Sequence, residues 1–181
     1  MFTQLTVRID RLLALLDTLG NALGPLALRL LLAVEFWASG LEKFNGDNWF
    51  ADIQTQFPFP FNVIPTNISW GLATTFELLG AVALVLGLGT RFFSVALMVV
   101  TVVATIAVHW PSDWHSWSEL AQGYVISDMG HGNYKLPLMY LVMFVPLLLS
   151  GPGVLSVDHL VRRWWQGAQA VARPALSGAG A

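Results

Sequence analysis

The 181-residue chain contains no cysteine. That absence excludes disulfides, thiolate metal sites, cysteine-ligated iron–sulfur clusters and thiol redox chemistry. Charge is also scarce. Asp, Glu, Lys and Arg make up 11% of the residues, against 55% hydrophobic, where soluble domains carry about 25% charged residues. With a net charge of −2 there is no basic face for a nucleic acid. There is no dinucleotide glycine fingerprint and no P-loop. A mean hydropathy of +0.62 leaves too little polar surface for solubility, so the composition predicts an integral membrane protein in contact with the lipid bilayer.

The most informative stretch is residues 67–88, NISWGLATTFELLGAVALVLGL. Its length suits a helix crossing about 30 Å of hydrocarbon. Its one ionisable group, Glu77, sits at the middle. A carboxylate at that depth needs an interior position and a partner. Ala73, Gly80 and Ala81 share its helical face, so that face is expected to pack closely on a neighbour.

The remaining apolar segments predict an all-α, four-helix transmembrane bundle with spans at 25–44, 67–88, 92–110 and 136–150. Residues 1–24 read as an amphipathic interfacial helix. Leu5, Ile9, Leu12, Leu13, Leu16 and Leu23 fall near one face, and Arg8, Asp10, Arg11 and Asp17 interrupt the apolar run. Pro25 suits the first turn of span one. Residues 45–66 and 111–134 form two aromatic-rich outer loops. The first is kept from a long helix by Pro58, Pro60 and Pro65; the second carries Trp114 and Trp117, with Ser116 and Glu119 as a capping box. Gly87, Gly89 and Thr90 break the chain between spans two and three, making them antiparallel neighbours. In span three Ser94, Met98, Thr101, Thr105 and His109 recur every three or four residues as a polar stripe; hydroxyls bonding back to their own helix would explain it without any function. Pro146 should kink span four. Residues 161–181 read as a basic, aromatic edge (Arg162, Arg163, Trp164, Trp165) and a flexible tail. Arg8, Arg11, Arg91, Arg162, Arg163 and Arg173 collect on the side of the termini, so the positive-inside rule predicts both termini in the cytoplasm of a bacterial inner membrane.

The candidate ligand-binding or proton-linked residues are Glu77, Arg29, Glu35, Lys43 and His109. Inward polar residues on facing helices are how bundles build sites. Three arrangements satisfy Glu77: a protonated, hydrogen-bonded acid, a pair with Arg29 or a lysine, or exposure to a filled cavity. His109, His115 and His131 match no standard ligand spacing, so no metal site is expected.

Four motifs carry a resemblance. Phe36-Trp37-Ala38-Ser39-Gly40-Leu41-Glu42-Lys43 fits F-x-x-[SA]-G-x-x-K. Glu77 matches a recurring acidic position. Leu86-Gly87-Leu88-Gly89-Thr90-Arg91 contains G-x-x-T-R, and Gly151-Pro152-Gly153-Val154-Leu155-Ser156-Val157-Asp158 fits G-P-G-x-x-S-x-D. In order and at span boundaries, they resemble DoxX-like membrane proteins over residues 25–160. The 111–135 loop departs from the shortest members. The resemblance implies an accessory, quinone-interacting component of a redox or metal/oxidative-stress system. Relatives include subunits of a thiosulfate:quinone oxidoreductase, and one branch accompanies machinery for copper-binding modified peptides. At most, then, the chain is a membrane subunit of an oxidoreductase without an electron carrier of its own, with quinone as the one candidate cofactor. The alternatives are a non-catalytic anchor or assembly partner for another protein subunit and, third, a small-solute transporter; homo-oligomerisation stays open. Fold alone does not choose among them.

Overall fold

A computed structural model describes the fold of residues 2–177 and the side chains of 6–169. Among the described residues it is helical and without strands. The principal helices are α1 (Phe2–Asn45), α2 (Thr66–Leu86), α3 (Thr90–Ala104), a short α4 (Trp117–Gln122), α5 (Lys135–Ser150) and α6 (Val157–Ser177). Residues Thr105–His109 prolong α3 as a π-helical segment. Three helices are long and apolar enough to cross a membrane: the one within Thr6–Asn45, Thr66–Leu86 and Thr90–His109. Lys135–Ser150 is apolar but shorter.

α1 packs on α2, α2 on α3, α3 on α5, and α5 back on α1. Their shared core is Leu32, Ala33 and Phe36 from α1, Ala81 and Leu84 from α2, Leu97 from α3, and Phe144 and Leu147 from α5. The apolar residues that do not enter this core form an exposed belt, as expected where lipid replaces water: Val82 and Val85, Val95 and Val99, Val142 and Val145 are all open.

α1 differs from the sequence expectation. It is one continuous helix of 44 residues with Pro25 inside it, about 66 Å at 1.5 Å per residue. The missing Pro25 amide ends no helix here. The Asn21 carbonyl, four residues back, faces the Gly153 turn, which packs against the Pro25 ring. Contacts with α2 fix which part of α1 matches a membrane span. Asn48 Nδ2 donates to Asn67 Oδ1 at one end (3.1 Å) and Arg29 reaches the Leu84 carbonyl at the other (3.2 Å). Residues 6–21 lie beyond that match and are exposed on every face. α6 likewise continues through Ser177, past Gln166 where the tail begins; residues 178–181 lie outside the described residues.

The two aromatic-rich loops form their own small cores. Phe50 and Phe57 are buried with Ala107, and Trp70 meets Phe50 edge-on with ring centroids 4.9 Å apart. In the second loop, α4 begins at Trp117, directly after the capping Ser116. Ser116 Oγ accepts from the Glu119 amide, while the Glu119 carboxylate accepts from the His115 amide.

The motif turns lock the opposite end. Gly87 closes α2 in the left-handed region (φ 66°), where a Cβ would overlap the Arg29 guanidinium and the Ser156 side chain. Both oxygens of Asp158 accept from the first amides of α3: Gly89 N–H at 2.8 Å and Thr90 N–H at 3.0 Å. A carboxylate there satisfies amides that the helix itself cannot. G-x-x-T-R and S-x-D are therefore two halves of one connection.

Candidate functional site

Gly40 lies at a close contact between α1 and α2. A Cβ at Gly40 would lie 2.9 Å from the Leu78 side chain and 3.2 Å from Glu77 Cβ. One turn further along α1, Lys43 turns back toward the same place. Its Nζ lies 3.0 Å from Glu77 Oε2 and donates to Ser39 Oγ at 2.8 Å. Only 14% of the Lys43 side chain and 4% of the Glu77 side chain are exposed, so the pair is out of water. The S-G-x-x-K motif thereby acquires a physical reading: Gly admits the second helix, and Ser and Lys meet the acid that it brings.

Such a pair adds little stability by itself, because removing two charges from water offsets their attraction. Inside a membrane a buried ionisable group is a functional-site hypothesis by default. The surroundings agree with that default. Glu77 lines a cavity of about 240 Å³ with Glu35, Phe36 and Ser39 of α1, Thr101 and Ala104 of α3, His109, and Pro137 and Tyr140 of α5. Glu77 Oε2 takes the Lys43 ammonium at 3.0 Å, and a carboxylate oxygen can accept a second hydrogen bond besides.

The polar rim is divided among the helices. Tyr140 O–H donates to Glu35 Oε2 at 2.7 Å across the α1–α5 seam. Glu35 is exposed and Tyr140 half-buried, so the cavity rim at this seam is reachable from outside the bundle. At the end nearer the aromatic loops His109 Nδ1 is 2.8 Å from Asn133 Oδ1, and the Asn133 backbone amide donates to the His109 carbonyl. The Thr101 and Thr105 hydroxyls donate to the carbonyls four residues before them. The stripe on α3 does face inward; its two threonine hydroxyl protons are used within the helix, while the buried Ser94 hydroxyl has no hydrogen-bond partner.

The five sequence candidates therefore separate. Glu77, Glu35 and His109 line one cavity, and Lys43 pairs with Glu77. Arg29 is elsewhere. It is fully buried and donates to the carbonyls of Leu84, Val85 and Leu155, tying α1 to the end of α2 and to the motif turn before α6. Tyr140 and Ser39 were not singled out by sequence. A lone tyrosine in the apolar run 136–150 and the serine one position before the motif glycine were the available signals. Among the described residues no three His, Asp or Glu side chains converge as metal ligands would.

A membrane-embedded helical protein with a buried Lys–Glu pair beside a cavity between its helices is the class these features define. A model of the DoxX family matches residues 24–110, which include Arg29, the Gly40–Lys43 motif, Glu77 and the Gly87–Arg91 turn. An uncharacterised protein of Haemophilus influenzae is 43% identical over 145 residues, covering 80% of this chain and 87% of the relative. The chain belongs to the DoxX family. No solved structure matches it.

Proposed function

We propose that this protein is a four-span subunit of the bacterial inner membrane, both termini cytoplasmic, whose Glu77 cavity holds the head group of a quinone-like ligand. On this reading it is an accessory component of a redox or metal/oxidative-stress system. The observation that carries the reading is the Lys43–Glu77 pair beside a cavity rimmed by the exposed Glu35 and its partner Tyr140. On this reading a lipophilic ligand enters from the bilayer at that rim, and its quinone head meets hydrogen-bond donors and acceptors at the end.

A fourth crossing is supported by how α5 matches α3. Asn133, just before α5, bonds to His109 at one end of the α3 segment; Arg91 Nη2, at the start of α3, donates to the Leu149 carbonyl at the other. α5 thus runs the length of a helix that is itself long enough to cross. The arginine excess beside the termini supports the orientation.

Reduction of a quinone to a quinol takes up two electrons and two protons. A partner protein supplies the electrons on this reading. The chain's own residues accept and donate hydrogen bonds at the two oxygens, with Glu77, Lys43 and Tyr140 as the groups able to exchange protons. The test is extraction of the protein purified in mild detergent. It should yield quinone approaching one per chain, and Glu77→Gln should lose most of it while keeping its helical signal. Quinone-free wild-type protein that cannot be reloaded would contradict the proposal.

A second reading, a non-catalytic anchor for another protein, draws on the outer loops. Phe59 is 81% exposed, Trp117 79% and Met129 81%. A partner complex that survives Glu77→Gln but not replacement of residues 111–134 would favour it.

A further inference from the structure

A second cavity, about 290 Å³, lies between α2 and α3 beneath the first outer loop. Ser69, Ala73 and Phe76, spaced four and three residues apart, form its α2 wall, and Ala96 and Val103 stand on the α3 wall. The α2 lining spans residues 69–76, about 10 Å, and the α3 lining runs from Ala96 to Val108, about 18 Å, so the space is elongated along the helix direction. Phe50 and Phe61 of the loop lie over it. Apart from the exposed Trp49 indole, the Ser69 hydroxyl is the one polar side-chain group in the lining. Ser69 is 6% exposed, and its Oγ has no hydrogen-bond partner.

A buried hydroxyl without a partner is unfavourable, so a ligand that supplies an acceptor is favoured there. Ser69 stands in the first turn of α2, beside the Asn48–Asn67 contact and the Trp49–Trp70 pair. Tryptophans gather at the depth of the membrane–water boundary, which is also the depth of a phospholipid's ester carbonyls. Below that level the cavity offers only hydrocarbon.

We propose that this cavity binds one acyl chain of an outer-leaflet phospholipid, with the ester carbonyl accepting the Ser69 hydroxyl proton and the chain lying between Ala73 and Ala96. A single polar contact at the top and an apolar channel below fit an ester-linked chain; a quinone head, with oxygens on opposite sides of its ring, would leave one unpaired. The site is separate from the Glu77 cavity, and its existence does not depend on what that cavity holds.

The test is native mass spectrometry of the intact protein transferred from mild detergent, loaded with either diacyl or diether phosphatidylglycerol of equal chain length. The wild type should hold one diacyl lipid through activation that strips the others, and should hold the diether lipid, which has no ester carbonyl, several-fold less. Ser69→Ala should lower diacyl retention to the diether level, and Ala96→Phe, which fills the channel, should abolish the retained lipid. Equal retention of both lipids by the wild type, or a retained lipid that survives Ala96→Phe, overturns the proposal. So does a retained mass corresponding to a quinone. The wild-type ester–ether comparison needs no variant, so a poorly folding substitution cannot obscure the result.

Discussion

Lys43 and Glu77 face each other at 3.0 Å because Gly40, one turn earlier on α1, lets the backbone of α2 come within reach. The pair is a consequence of helix proximity, and its energetics follow from burial. Removing one partner leaves the other charge unmatched in a nonpolar interior, at about 3–5 kcal/mol; replacing both by apolar residues avoids most of that. Lys43→Met and Glu77→Leu should each lower the thermal midpoint in detergent substantially. The double variant should recover much of the loss. Additive losses would mean that the two charges do not interact.

Gly40→Val should be more damaging than its small volume suggests. The new side chain meets Leu78 and Glu77 Cβ, forcing α1 and α2 apart, and overpacking of this kind costs about 1–3 kcal/mol. Thermal unfolding should show the loss. Gly20→Val and Gly24→Val, where a Cβ meets nothing within 4 Å, should show little beyond helix-propensity effects.

Arg29→Lys should fail as a replacement despite keeping the charge. The guanidinium reaches carbonyls on two segments at once, Leu84 and Val85 on α2 and Leu155 before α6. A lysine ammonium is a compact donor without the planar fork. A lower thermal midpoint with unchanged ligand content is the expected pattern, because Arg29 stands outside the Glu77 cavity. Loss of ligand at full stability would place Arg29 in the binding machinery instead.

Asp158→Ala should expose the first amides of α3. The carboxylate accepts from Gly89 and Thr90, and loss of a side-chain cap costs about 0.5–2 kcal/mol. Hydrogen exchange should rise at the start of α3 and leave the outer loops unchanged. Faster exchange throughout would show that the turn holds more than one helix end.

Much of this was readable from the chain and some was not, for identifiable reasons. An acid alone in the middle of residues 67–88, flanked by small residues on its own face, announces a close helix contact; Gly80 and Ala81 are indeed buried beside it. Which cation meets it was left between Arg29 and a lysine, because sequence separation does not set the register of two antiparallel helices. The observed register aligns Arg29 with Leu84 and Gly40 with Glu77. Pro25 read as a helix start. A proline is also tolerated inside a helix that neighbouring structure holds in place, and the Gly153 turn that packs against the Pro25 ring lies more than a hundred residues away in the chain. Tyr140 was hidden for the same reason, since its partner Glu35 lies on the first helix.

On the proposed function a quinone-like head group lies between Glu35, Tyr140 and Glu77. The decisive experiment is photo-crosslinking with an azido-benzoquinone carrying a short isoprenoid tail, followed by peptide mapping. Labelling should concentrate on the peptides that hold Glu35–Ser39 and Tyr140, be competed by unlabelled quinone and be strongly reduced in Glu77→Gln. Labelling spread over the lipid-facing valines of α2 and α3, unchanged by competitor or by Glu77→Gln, would contradict it.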